Sequence, residues 1–262
     1  MSRIVHPLLD PDRRPIVGHR GNAAHAPENT MESFRQALDA GAECIELDVH
    51  LSSDGVAMVI HDPSIDRTTD ATGDVASLTS SRIQAADAGA RFTRDALAFP
   101  YSGKGLRVPT FEEVLLELAD VPMLIEIKTR QASAETRRLI ERYGAESRCI
   151  VESFDGRALD AFRGSKIAIG ASSSDVKRLL HRVITRRPAR SLPYSVMCVP
   201  RWLRGVRVPI ASLVSLTRPA GCLVHVWTVN DPVIAQALWS IGVRGIISDD
   251  PGVMRRTRDA AA

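Results

Sequence analysis

The sequence lacks three things: a long apolar run, an abundance of aromatic residues (5%), and any pair of cysteines close together in the chain. No apolar stretch approaches the ~20 residues of a membrane-spanning helix. The balance of 34 Lys and Arg against 31 Asp and Glu, a net charge of +3, tolerates an anionic substrate. With few aromatics and no long basic runs it gives no sign of a nucleic-acid surface. Cys44, Cys149, Cys198 and Cys222 form no C-x-x-C pair, which excludes the usual zinc cluster and disulfide framework. Each lies in or beside an apolar stretch and reads as a small, reduced core residue. The N-terminus "MSRIVHPLLDPDRRP" has charges and prolines where a signal peptide needs an apolar core. A soluble protein of the cytoplasm is expected.

What is present is alternation. The 262 residues are 44% hydrophobic and 25% charged, ordinary values for a globular chain. Short apolar runs at 15–19, 44–51, 122–128, 149–154, 166–170, 194–199, 222–229 and 244–248 read as strands. Helical patterns follow them: 30–40, then a helix capped by Thr110 with Glu113 completing a capping box, then 132–143, 155–163, 173–186, 209–218, 231–241 and 251–258. Eight strands, each with a helix after it, in about 250 residues imply an α/β fold, a (β/α)₈ TIM barrel. A doubly wound sheet would want G-x-G-x-x-G after the first strand, and "GHRGNAAHAPENT" lacks that spacing. Residues 52–109 do not fit the alternation and read as a small insertion after strand two, within one domain spanning 1–262.

The stretch "ECIELDVHLSSDGVAMVIHDP" at 43–63 places Glu46 and Asp48 inside an apolar strand, two residues apart and therefore on one face. A buried carboxylate is costly unless something positive offsets it. Glu126 and Lys128 share a face near the end of the next strand, and His19 and Arg20 end the first. All these strand ends feed the rim on which barrel active sites are built. Three converging carboxylates form a hard-oxygen site suited to Mg²⁺ or Ca²⁺ rather than zinc. A single rim carboxylate is commonly an ordinary ion pair or cap. The whole set on one rim points to a site.

Lesser candidates read as follows. Glu152 could enter the pocket or pair with an arginine at the rim. His50 is expected in solvent or behind the site, His25 in the loop after the first strand, and His225 as a satisfied core histidine. Glu28 and Asn29 are expected as acceptors at the start of the helix near Thr30. The basic segment 177–190 reads first as a solvated helix face, with weak peripheral contact to anionic lipid as the alternative.

Together "HRG" (19–21), "PENT" (27–30), "ELDVHLSSDG" (46–55), "VIHD" (59–62), "VPTFEEVL" (108–115), "IEIK" (125–128), "SFD" (153–155), "VWTVN" (226–230) and "GIISDDP" (245–251) resemble the glycerophosphodiester phosphodiesterases. The likeness runs from about residue 15 to 255. It implies a TIM barrel with an insertion after strand two, and a divalent metal held by Glu46, Asp48 and Glu126. It also implies His19 and His61 as acid and base, with Arg20 and Lys128 on the phosphodiester. Phe154 and Trp227 would line the glycerol side. The implied reaction splits a small glycerophosphodiester into glycerol 3-phosphate and an alcohol, a step of glycerol and lipid metabolism. A lysophospholipase D activity at the same site, or a catalytically silent phosphodiester-binding barrel, stand as alternatives. Ser248 occupies a position where the family usually has threonine, and a hydroxyl is kept.

Overall fold

Eight parallel strands ring the centre, and each is followed by a segment that returns over the outside. The computed structural model describes residues 6–185, 189 and 191–261. The first five residues and Ala262, with Arg186, Arg187, Pro188 and Arg190 of the basic segment, lie outside the described residues. β1 (Ile16–Gly18) leads to α1 (Met31–Asp39). β2 (Cys44–Leu51) turns back through β3 (Ala57–Val59) into an excursion carrying α2 (Ser80–Gln84), and α3 (Phe111–Glu117) follows. β4 (Met123–Ile127), α4 (Arg130–Arg142), β5 (Cys149–Glu152), a 3-10 helix (Gly156–Phe162), β6 (Ala168–Ile169) and α5 (Ser173–Thr185) come next. β7 (Val196–Pro200) runs into a hairpin of β8 (Trp202–Leu203) and β9 (Val206–Arg207) before α6 (Ile210–Thr217). β10 (Leu223–Trp227), α7 (Pro232–Ser240), β11 (Ile246–Ser248) and α8 (Pro251–Asp259) complete the chain.

The parallel strands pair in the order β6-β5-β4-β2-β1-β11-β10-β7, and a parallel bridge between Gly170 and Val196 joins the two ends. This is the (β/α)₈ barrel read from the alternation. The two-residue period divides each strand between two cores. Val17, Cys44, Leu124, Ile150, Val196 and Ile247 meet inside the barrel. Ile45, Leu47, Ile125 and Val151 point outward against Phe34 of α1 and Phe111 of α3. Leu8, from the N-terminal segment, belongs to the inner core. Its carbonyl meets His225 Nε2 at 3.1 Å, and His225 Nδ1 accepts from the Gly245 N–H at 2.8 Å. Burial pulls His225 down to about 3, so the ring stays neutral, as a satisfied core histidine. All four cysteines are buried and unpaired. Among the described residues no helix is long and apolar enough to cross a membrane.

Three local features depart from the periodicity. The expected helix at 155–163 is a 3-10 helix begun by Asp155, whose side chain accepts from the Arg157 N–H. Its larger rise per residue spans the short gap to β6 with few residues. β3 is a ninth strand, antiparallel to β2, with His50 opposite Met58. The excursion at 52–109 has its own apolar cluster around Met58, Ile65, Val75 and Ile83. The β8–β9 hairpin falls where no strands are expected.

The capping box at Thr110 is formed: its Oγ1 accepts from the Glu113 N–H at 3.1 Å, and Glu113 Oε2 accepts from the Thr110 N–H at 2.8 Å. Thr110→Ala should lower unfolding free energy by about 1 kcal/mol, the usual value of an N-cap. Chemical denaturation checks this; an unchanged midpoint would mean that tertiary packing alone holds α3.

Candidate active site

Register decides which acidic side chains meet. Asp48 of β2 pairs with Glu126 of β4, and Glu126 with Glu152 of β5. Three carboxyl groups therefore stand abreast on neighbouring strands, with Glu46 two residues below Asp48 on the same face. Glu46, Asp48 and Glu126 each offer an oxygen, all within 4.8 Å of one another. Glu46 and Asp48 are only 4% and 1% exposed.

Two cations lie among them. Lys128 Nζ is 2.8 Å from both Asp48 Oδ1 and Glu126 Oε1, and Arg20 Nε is 3.3 Å from Asp48 Oδ2. Asn29 Nδ2 donates to Asp48 Oδ2 at 2.8 Å, and the Arg20 N–H to Glu46 Oε2 at 2.9 Å. The compensation is uneven. Burial alone would raise Asp48, but Lys128 and Arg20 outweigh it and hold the carboxyl below its ordinary value. Burial and the Asp48 charge push Glu46 up to about 7. Burial raises Glu126 as well, and the Lys128 contact leaves its Oε1 without a well-directed donor. Two cations against three carboxylates leave a deficit of positive charge at a cluster of hard oxygen donors. A hard divalent cation such as Mg²⁺ or Ca²⁺ fits that donor set.

His19 and His61 open onto the same cleft, which is also lined by Arg20, Glu46, Glu126 and Glu152. Each imidazole is held through Nδ1. His19 Nδ1 lies 2.6 Å from Asp249 Oδ1, and Asp249 Oδ2 accepts from Asn230 Nδ2 at 2.7 Å. His61 Nδ1 lies 2.6 Å from Asp62 Oδ1, and Asp62 Oδ2 accepts from Arg67 Nε at 2.5 Å. Burial pulls His19 down, but the Asp249 hydrogen bond and the Glu46 charge prevail and set it above the usual histidine value. Phe154 and Trp227 face each other edge to face across the cleft wall, centroids 5.9 Å apart.

The structure thus brings together all nine site residues named from the sequence, and corrects several neighbours. Glu28 and Asn29 do not cap α1. Thr30 does, its Oγ1 accepting from the Ser33 N–H at 3.2 Å. Glu28 Oε1 instead accepts from Arg20 Nη1 at 2.8 Å and from Arg67 Nη2 at 2.7 Å, while Asn29 reaches Asp48. Asn29 has φ 55°, a left-handed conformation that asparagine adopts more readily than most residues. Glu152 faces the cleft beside the Cys198 thiol and forms no ion pair with an arginine among the described residues. His50 is buried within β2, its Nε2 3.1 Å from the His61 carbonyl, and so braces the turn that carries His61. His25 meets Asp250 Oδ2 at 2.9 Å and is not among the cleft-lining residues. Asp249, Asp62, Asn230 and Arg67 were not singled out in the sequence. Asp62, Asn230 and Asp249 do lie within "VIHD", "VWTVN" and "GIISDDP", whereas Arg67 lies in no such motif.

Comparison with known proteins agrees with this geometry. The model of the glycerophosphoryl diester phosphodiesterase family matches residues 19–253. A glycerophosphodiester phosphodiesterase of Caldanaerobacter subterraneus is 30% identical, covering 90% of this chain and 94% of its own length. A probable glycerophosphodiester phosphodiesterase 2 of Mycobacterium tuberculosis is 32% identical, covering 92% of this chain and 89% of its own. The crystal structure of a glycerophosphodiester phosphodiesterase from Agrobacterium tumefaciens superimposes with a TM-score of 0.75 at 26% identity, over 92% of this chain and 99% of that one.

Glu152 gives a pH signature. Burial pushes its carboxyl from 4.5 up to about 8. Between those values the folded chain keeps a proton that the unfolded chain releases, so Glu152 lowers stability progressively as pH rises through that window. In chelator-treated protein, Glu152→Gln should melt above wild type at pH 8 and level with it at pH 4. Coincident melting at pH 8 would mean that Glu152 is ionised in the fold.

Proposed function

Since the chain belongs to the glycerophosphoryl diester phosphodiesterase family, we propose that it hydrolyses glycerophosphodiesters with His19 and His61 as acid and base, beside a divalent cation held by Glu46, Asp48 and Glu126. One observation carries this reading: two imidazoles, each oriented through Nδ1 by a carboxylate, open onto the cleft where three carboxylates converge.

The aspartates do for each ring what a fixed hydrogen-bond partner does generally. Asp249 and Asp62 accept from Nδ1–H, select the tautomer, and leave Nε2 as the atom that exchanges a proton with substrate. One ring takes the proton of the hydroxyl that attacks phosphorus. The other gives a proton to the departing alkoxide as the P–O bond to the head group breaks. Water supplies the atoms overall, and the products are glycerol 3-phosphate and the alcohol. Arg20 and Lys128 supply fixed positive charge for the non-bridging phosphoryl oxygens, where phosphoryl transfer most needs it. When bound, a divalent cation adds Lewis-acid stabilisation to those same oxygens. Phe154 and Trp227 offer apolar edges to the glycerol carbons. The four unpaired, buried cysteines fit the reducing cytoplasm in which the enzyme is proposed to act, as one domain over 1–262.

His19→Ala and His61→Ala should each lower kcat on glycerophosphocholine by at least ~10²-fold, the lower range of an acid–base contribution. The double variant should fall by less than the product of the single effects, because the two rings serve one reaction. Near-normal turnover in His61→Ala would remove the turn after β3 from the catalytic machinery.

A further inference from the structure

Charge is divided unevenly along this chain. Ten of the 34 Lys and Arg residues, and none of the 31 Asp and Glu, fall in residues 176–230. That stretch carries +10, and the remainder, with 24 bases against 31 acids, carries −7. Seven of those bases and no acid lie among the stretch's described residues, which hold most of α5 and everything from β7 to β10, so this sector of the barrel is basic on an otherwise acidic protein.

Within this sector the β8–β9 hairpin leaves the end of β7, where Pro200 is in register with Trp227 of the cleft. Leu203 pairs with Val206 and Trp202 with Arg207. Arg204 and Gly205, at φ 49° and 81°, make the tight two-residue turn. So short a two-stranded sheet is marginal in water by itself, and all its residues from 202 to 207 are exposed. Trp202, Leu203 and Val206 are 56%, 43% and 69% exposed, distributed over both faces. Arg201, Arg204 and Arg207 alternate with them and form no ion pair among the described residues.

We infer that the hairpin at 201–207, with the basic sector around it, docks the enzyme on an anionic phospholipid surface. Trp202, Leu203 and Val206 enter the headgroup region while the three arginines meet lipid phosphates. Tryptophan and arginine are the side chains suited to that boundary, one amphipathic and one able to hold a phosphate in a fork of donors. Exposed aliphatic residues on both faces of a hairpin have no use along a polynucleotide, which is gripped by phosphate contacts and stacked aromatics. The membrane contact weighed for 177–190 thus extends to a hairpin beside the cleft, where diesters released from lipid would arise. This inference does not depend on the assignment of the catalytic groups.

The full chain is mixed with vesicles of phosphatidylcholine alone or of equal parts phosphatidylglycerol and phosphatidylcholine, at low and high salt. Co-sedimentation should require the anionic lipid and weaken at high salt. Tryptophan emission should shift to the blue and be quenched by brominated acyl chains, and both effects should vanish in Trp202→Ser, where Trp227 and Trp239 remain. Arg204→Asn with Arg207→Glu should weaken binding at least tenfold while leaving hydrolysis of dissolved glycerophosphocholine at the wild-type rate, which also shows the variant is folded. Absence of binding at low salt would overturn the inference. So would binding with no change at Trp202, or tighter binding to duplex DNA than to the anionic vesicles.

Discussion

Placing carboxyl groups side by side on the inward face of a barrel is the constraint from which the rest of this site follows. Parallel register sets Asp48, Glu126 and Glu152 abreast, with Glu46 directly beneath. Inside a protein such groups must be neutralised, paired or given a cation. All three outcomes occur within one cleft. Asp48 is paired with Lys128 and Arg20, Glu152 is held protonated by burial, and Glu46 with Glu126 is left under-compensated. That graded compensation gives a cleft able to hold both a cation and an anionic diester.

The surrounding shell is arranged to keep this charge in place. Glu28 anchors Arg20 and Arg67, Arg67 in turn holds Asp62, and Asp62 holds His61. The "PENT" loop, the excursion after β2 and the first strand end are therefore joined in one ion-pair chain. His50, behind it, supports the His61 carbonyl. On the opposite side Asn230 orients Asp249, and Asp249 orients His19. The two imidazoles are thus oriented by different carboxylates, while Arg20, next to His19 in the chain, ties the first strand end to the network that holds His61.

The strand pattern was legible because period-two alternation states which side chains turn inward; Glu46, Asp48 and Glu126 stood out as charges on an apolar face. The resemblance added roles for His19, His61, Arg20, Lys128, Phe154 and Trp227, and the geometry gathers them. Loop residues were less legible. Glu28 and Asn29 immediately precede a helix start, so local rules assign them to capping. Their true partners, Arg67 and Asp48, lie 39 and 19 residues away. Asp249 and His19 are 230 residues apart, a contact that only barrel closure makes. The helix at 155–163 was legible in place though not in its 3-10 form, and the β8–β9 hairpin escaped because strands so short carry too few residues to show a period.

The central claim is that the three carboxylates form a divalent-cation site. Crystals soaked in manganese chloride test it most directly through anomalous scattering. The account predicts a single strong anomalous peak among the oxygens of Glu46, Asp48 and Glu126, absent in Glu46→Gln crystals soaked alike. No peak there, with Lys128 still bridging Asp48 and Glu126, would contradict it and leave an ion-pair network in place of a metal centre.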